Sequence, residues 1–74
     1  MMTEVKPGKY LHYKGKYYQV ICVAKHSETL EEFVVYVCLY DNPNGQMWIR
    51  PAKMFTEMIK VNGEKVPRFR FVGE

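Results

Sequence analysis

Phe33-Val34-Val35-Tyr36-Val37-Cys38-Leu39-Tyr40 is the run whose reading decides the fold, and Asp41-Asn42-Pro43-Asn44-Gly45 and Gln46-Met47-Trp48-Ile49-Arg50 follow it directly. Eight nearly unbroken apolar residues, rich in β-branched and aromatic types, have the length and composition of a strand covered on both faces. Five turn-forming residues then reverse the chain, and residues 46–50 return as the partner strand. Pro51 has no backbone donor and closes the ladder, so 52–58 is expected to make one helical turn that tucks Met54 and Phe55 under the sheet.

The same signals recur on both sides of this hairpin. Upstream, Lys9–Lys14 and Tyr17–Lys25 form a tight hairpin about Gly15. Period-two alternation puts Tyr18, Val20, Cys22 and Ala24 on its core face. The polar stretch His26–Glu32 reads as a loop. Downstream, Asn62-Gly63 is the favoured type I′ pair between two short strands. Pro67 marks an edge, and Arg68-Phe69-Arg70-Phe71 alternates rings with guanidinium groups.

Length limits what these strands build. At 74 residues the chain has room for one modest core. Residues 1–7 read as a flexible lead and 8–72 as a single domain. Five or six short antiparallel strands with one helical turn are too few for a sandwich, so the fold class is mostly β. The expected architecture is a small SH3-like barrel, with an OB-type barrel as the alternative. Six Tyr, four Phe and one Trp supply much of the core.

Composition narrows the chemistry. A net charge of +3 permits an anionic partner without the dense positive charge of a dedicated nucleic-acid binder. Lys9, Lys14 and Lys16 mark the first hairpin and Lys60, Lys65, Arg68 and Arg70 the last. Such residues serve as phosphate contacts or, more plainly, as guards on strand edges. Cys22 and Cys38 lie in apolar runs without CxxC spacing and read as reduced core thiols, a disulfide between neighbouring strands being the alternative. No stretch reaches the ~18 apolar residues of a membrane span and the N-terminus lacks a signal-type apolar core, so a cytoplasmic location without membrane contact is expected.

The order Gly8-Lys9-Tyr10, His12-Tyr13-Lys14-Gly15, Tyr18, His26-Ser27-Glu28-Thr29, Val35-Tyr36, Leu39-Tyr40, Trp48-Ile49-Arg50-Pro51 and Met54-Phe55 resembles a family of short bacterial proteins of unknown function. The resemblance runs over residues 8–70, with the pattern extending through Pro67-Arg68-Phe69. It implies a compact cytoplasmic domain, alone or fused to others, and carries over no activity, cofactor or catalytic residue.

Two constellations bear on function. Tyr13, Tyr17, Tyr36, Tyr40 and Trp48, with Arg50 beside them, come from adjacent strands and turns. Tyr13, Tyr17, Tyr36, Trp48 and Arg50 are the expected lining of an aromatic and Arg groove that binds a nucleic acid or a protein segment by stacking and cation–π contact; the plainer use of each ring is core packing. His26 and Glu28 form the densest polar cluster and would serve a small enzyme as acid or base and orienter, against the plainer use of capping a turn. No nucleophile–base pair stands out, and His12, His26, Glu28 and Glu31 fit no metal template. A non-catalytic binding module without a cofactor is therefore the leading expectation. A structural or assembly module pairing through its Phe69–Phe71 or Phe33–Val35 face, as a weak homo-oligomer, is a further alternative.

Overall fold

The computed structural model describes residues 5–74. Seven strands and one short helix follow in the order β1 (Gly8–His12), β2 (Tyr17–Lys25), β3 (Glu32–Cys38), β4 (Met47–Pro51), α1 (Ala52–Phe55), β5 (Met58–Val61), β6 (Glu64–Pro67) and β7 (Phe69–Gly73). Five strands form one antiparallel sheet in the order β4-β3-β2-β1-β7, while β5 and β6 form a separate two-stranded sheet. The fold is thus mostly β, as expected. It has seven strands rather than five or six, and the ladder stays open where a closed barrel was expected, because β7 pairs with β1 and the β5–β6 hairpin bridges to neither end of the larger sheet.

The hairpin signals translate directly. Asn62 and Gly63 both take positive φ, 52° and 82°, the backbone that a type I′ turn requires. Gly8 is needed for a different reason. A Cβ there would stand 2.7 Å from the Gly73 carbonyl oxygen where β1 and β7 meet, at a φ of 143°. Of the expected lead, residues 1–4 lie outside the described residues; the Lys6 carbonyl accepts a hydrogen bond from the Tyr10 hydroxyl at 2.9 Å.

The core lies against one face of the larger sheet. Tyr10, Val20, Val34, Tyr36, Ala52, Phe55 and Phe69 make up its buried cluster. Phe55 and Phe69 stack with ring centroids 4.1 Å apart, and Tyr10 meets Phe55 edge-on. Helix α1 is a single turn, so its buried positions fall at i and i+3: Ala52 and Phe55 point inward. Met54, expected beneath the sheet, is exposed instead. Phe69 and Phe71 face Tyr10 and the core rather than solvent.

One irregularity reassigns half of β2. The register with β3 shifts between Val20 and Cys22, with Val20 opposite Tyr36 but Cys22 opposite Val35. A bulge of one residue reverses the alternation beyond it. Val23 therefore packs against the core while Cys22 is exposed, contrary to the expected core face of Cys22 and Ala24. Cys38 is buried, and both thiols are free. Strand β3 buries Val34, Tyr36 and Cys38 fully, and its other face, expected to be equally covered, is half-buried.

Candidate functional site

Tyr36, Trp48 and Arg50 come together because β3 and β4 pair with Tyr36 opposite Trp48 and Val34 opposite Arg50. Paired residues share a face, and this is the inner one. Tyr18 joins from β2, where it pairs with Cys38. Tyr40 and Asn42 curl in from the turn that leaves β3. The result is a pocket of about 180 Å³ lined by these residues and Cys38. It sits at the β4 margin of the larger sheet.

Its polar groups bond in separate sets, Tyr18 with Tyr40 and Asn42, and Arg50 with Tyr36. The Tyr18 and Tyr40 hydroxyls are 2.9 Å apart. The Asn42 amide donates to the Tyr40 hydroxyl at 3.5 Å and lies 3.6 Å from the Cys38 sulfur. The Arg50 Nε donates to the Tyr36 hydroxyl at 3.4 Å, and its guanidinium lies over the Phe69 ring at 5.4 Å. The Trp48 indole N–H donates to the Gly45 carbonyl at 2.9 Å, which fixes the ring at the rim. The hydrogen bond with Tyr18, and after it the contact with Cys38, holds the Tyr40 phenol well above the ordinary tyrosine range. The lining carries one formal charge, Arg50, and no carboxylate. Lys16 adds a second cation at the rim, its Nζ 4.6 Å from the centre of the Tyr40 ring.

The other residues expected at the site lie elsewhere. Tyr17 is on the outer face of β2, with the Lys9 ammonium over its ring at 5.0 Å. Tyr13 stacks on His12 at 4.6 Å in the β1–β2 turn. There it lines a separate cleft of about 400 Å³ together with Leu11, Val61, Val66, Pro67 and Arg70. Burial first, and then the positive fields of Arg50, Arg68 and Lys14, hold the His12 imidazole below its ordinary pKa.

His26 and Glu28 stand at the far end of the β2–β3 hairpin. Seven residue steps along β2 lead from Tyr18, opposite Cys38, to Lys25, opposite Glu32, a distance of ~23 Å at 3.3 Å per residue. The His26 Nδ1 accepts the backbone N–H groups of Glu28 at 3.2 Å and Thr29 at 3.3 Å, and the Thr29 hydroxyl accepts from Glu31. This is the turn-capping use of the cluster, and Glu28 meets His26 through its backbone. Among the described residues no three His, Cys, Asp or Glu side chains gather where they would hold a metal. No helix among them is long and apolar enough to cross a membrane.

Tyr18 and Asn42 are lining residues the sequence does not single out: Tyr18 reads as core and Asn42 as a turn former. Tyr40 counts among the candidate rings but lies outside the expected groove. The available signal was the two-residue spacing of Tyr36, Cys38 and Tyr40, which keeps all three on one side of an extended run.

The family described as Protein of unknown function (DUF1653) has a sequence pattern that matches residues 8–71. The crystal structure of a protein of that family from Bordetella bronchiseptica is similar to this chain at 36% identity and a TM-score of 0.90. The similarity covers 99% of this chain and 94% of that one. No curated protein matches the chain.

Proposed function

The chain belongs to the DUF1653 family, whose function is unknown, and we propose that it is a non-catalytic binding module that recognises a protein segment through the pocket around Arg50. One observation carries this reading: four aromatic side chains, the Asn42 amide and the single guanidinium of Arg50 line one recess that has no carboxylate. Such a recess is concave, rigidly hydrogen-bonded and short of negative charge, so it suits an acidic or carbonyl-rich group. A carboxylate there would accept from the Arg50 fork and the tyrosine hydroxyls while its aliphatic stem lies against Trp48.

A second reading, single-stranded nucleic acid, draws on the Lys16 ammonium at the rim and on the overall positive charge. It has less support because the faces of Tyr18 and Tyr36 are engaged edge-on by neighbouring rings rather than open for bases to stack.

One titration separates the two. Uniformly labelled protein is titrated with a pool of random acidic decapeptides and, separately, with a single-stranded oligothymidylate at 50 and 200 mM salt. The protein-segment reading expects the Trp48 indole and Arg50 side-chain resonances to shift with the peptides, and the response to be lost in Arg50→Met. Response to the oligonucleotide alone, falling steeply between the two salt concentrations, would transfer the site to nucleic acid.

A further inference from the structure

Strand β4 closes one side of the larger sheet, and among the described residues β3 is its one neighbour. The direction of its free hydrogen-bonding groups follows from the register. The Cys38 N–H donates to the Gln46 carbonyl at 2.8 Å. Hydrogen-bonded pairs recur at every second residue of an antiparallel ladder. Tyr36 with Trp48, and Val34 with Arg50, are therefore the pairs that exchange bonds. Met47 and Ile49 turn their N–H and C=O groups outward, and Pro51, opposite Phe33, falls in the same phase. Pro51 corroborates this phase, since proline is tolerated in a sheet where its missing donor faces away from the ladder.

Edge strands ordinarily carry a lysine, an inward charge or a proline as protection. On β4 these guards stand at its C-terminal end, where Arg50 points inward and Pro51 closes the strand, and none lies on the outer-facing middle. Met47 and Ile49 are instead 64% and 62% exposed, with Val35 and Val37 beside them on the outer face. On the inner face of the same strand lie Trp48 and Arg50, in the wall of the pocket.

From these features we infer that the segment held by the domain docks as an added antiparallel strand on β4, with an acidic side chain facing Arg50 and apolar side chains alternating with it over Met47 and Ile49. The inference rests on the protein-segment reading and specifies its geometry. A residue of the incoming strand opposite Arg50 sits at a non-hydrogen-bonded pair, where Cα atoms approach to about 4.5 Å and side chains are closest. Its carboxylate completes the charge that the lining leaves unbalanced. Its neighbours point to the outer face, as the two-residue period requires, and cover Met47 and Ile49. Those same neighbours exchange the backbone bonds with the β4 edge. Main-chain bonding then supplies affinity, and the alternating side chains supply selection.

The geometry makes a specific demand on the ligand. A capped octapeptide of alternating Val and Glu is compared with one N-methylated at every Val and one N-methylated at every Glu. Binding is followed through the Met47 and Ile49 amide resonances, up to millimolar peptide. Methylation at Val should cost at least tenfold in affinity, because those amides face β4, whereas methylation at Glu should be tolerated. On the protein side, Ile49→Pro removes an outward N–H that β3 does not use. It should keep the thermal midpoint near that of the parent and lose the peptide. Arg50→Met should lose at least tenfold and cease to distinguish Val-Glu from Val-Lys.

Equal affinity for the three Val-Glu peptides, or full binding by Ile49→Pro, overturns strand addition. If Arg50→Met still weakens binding in that case, the pocket reading survives it. If Arg50→Met has no effect, the pocket reading falls as well. Absence of binding by any of the peptides overturns the proposal. So does a shift of the Met47 and Ile49 amides on dilution of the protein alone, which would assign the edge to a second copy.

Discussion

The cleft between the β1–β2 turn and the β5–β6 hairpin has more than twice the volume of the tyrosine pocket, about 400 against 180 Å³, yet the two are assembled in different ways. The cleft joins a turn of the larger sheet to a hairpin that pairs with none of its strands. The hairpin is closed at its base by the Arg68 N–H to the Glu57 carbonyl at 3.0 Å and the Arg68–Glu57 ion pair at 2.9 Å, and the Tyr13 N–H to the Arg68 carbonyl at 3.0 Å ties it to the larger sheet. The pocket is built on three adjacent strands and the turn that leaves them, and its polar groups bond to one another. Volume alone is thus a poor guide to a site. A recess whose walls share one ladder holds its groups in fixed relation, whereas one spanning two sheets depends on how firmly the second is held.

The sharpest way to break this contrast is to remove what lies beneath the pocket. Phe55 is 2% exposed and packs on Phe69, Tyr10 and Tyr36. Phe55→Ala should cost about 3–5 kcal/mol, a large share of the stability of so small a domain, as measured by urea unfolding. The pocket should be lost with it, since Tyr36 rests on that ring.

Weakening the hairpin should act on the cleft alone. Gly63 has a φ of 82°, and an L side chain in the left-handed region costs about 1–2 kcal/mol. Gly63→Ala should lower stability by that amount. Faster amide exchange should be confined to β5 and β6, with the Trp48 indole resonance unmoved. A change at Trp48 of the same size as at Val61 would show that the two recesses are one mechanical unit.

How much of this was legible in the chain depends on whether the governing interaction is local. Asn62-Gly63, the β3 run and the Asp41–Gly45 turn were readable because their geometry is written in consecutive residues. Tyr36, Trp48 and Arg50 were readable as a group because one tight connection sets the β3–β4 register and alternation does the rest. The bulge in β2 was not. Ile21, Cys22, Val23 and Ala24 are all apolar, so either phase of the alternation satisfies the pattern, and only pairing with β3 decides that Val23 faces inward. The pairing of β7 with β1 links residues some 60 positions apart, and no local signal selects it over closure into a barrel. Met54 and Phe55 are adjacent apolar residues in one helical turn, which can bury Phe55 or its neighbour but not both.

The Tyr18–Tyr40 pair sharpens the contrast at a smaller scale. Tyr40→Phe removes one hydroxyl and leaves that of Tyr18 without its partner, at a cost of about 1 kcal/mol. The fold holds the Tyr40 phenol above its ordinary pKa of 10.0, chiefly through Tyr18. A group whose folded pKa is raised adds stability that is intact below the unfolded value and is lost as pH climbs towards the folded one. The parent should therefore lose stability above pH ~10, where unfolded tyrosine ionises. Tyr40→Phe should lose it less steeply, and Tyr10, raised by burial, should account for part of what remains.

The smallest effect belongs to the cleft side, where His12 has the opposite sign. Burial and the cations Arg50, Arg68 and Lys14 lower its pKa from 6.5, so the folded state prefers the neutral ring, whose Nδ1 accepts the Lys14 N–H at 3.1 Å. The resulting stability is present above the unfolded value and disappears as pH falls through the folded one. Unfolding followed between pH 7 and 5 should show a decline that His12→Phe reduces. Because Arg50 belongs to both environments, Arg50→Met should raise the His12 titration midpoint measured by NMR. An unchanged midpoint would mean that the two recesses are electrostatically independent even though they share one inner sheet face.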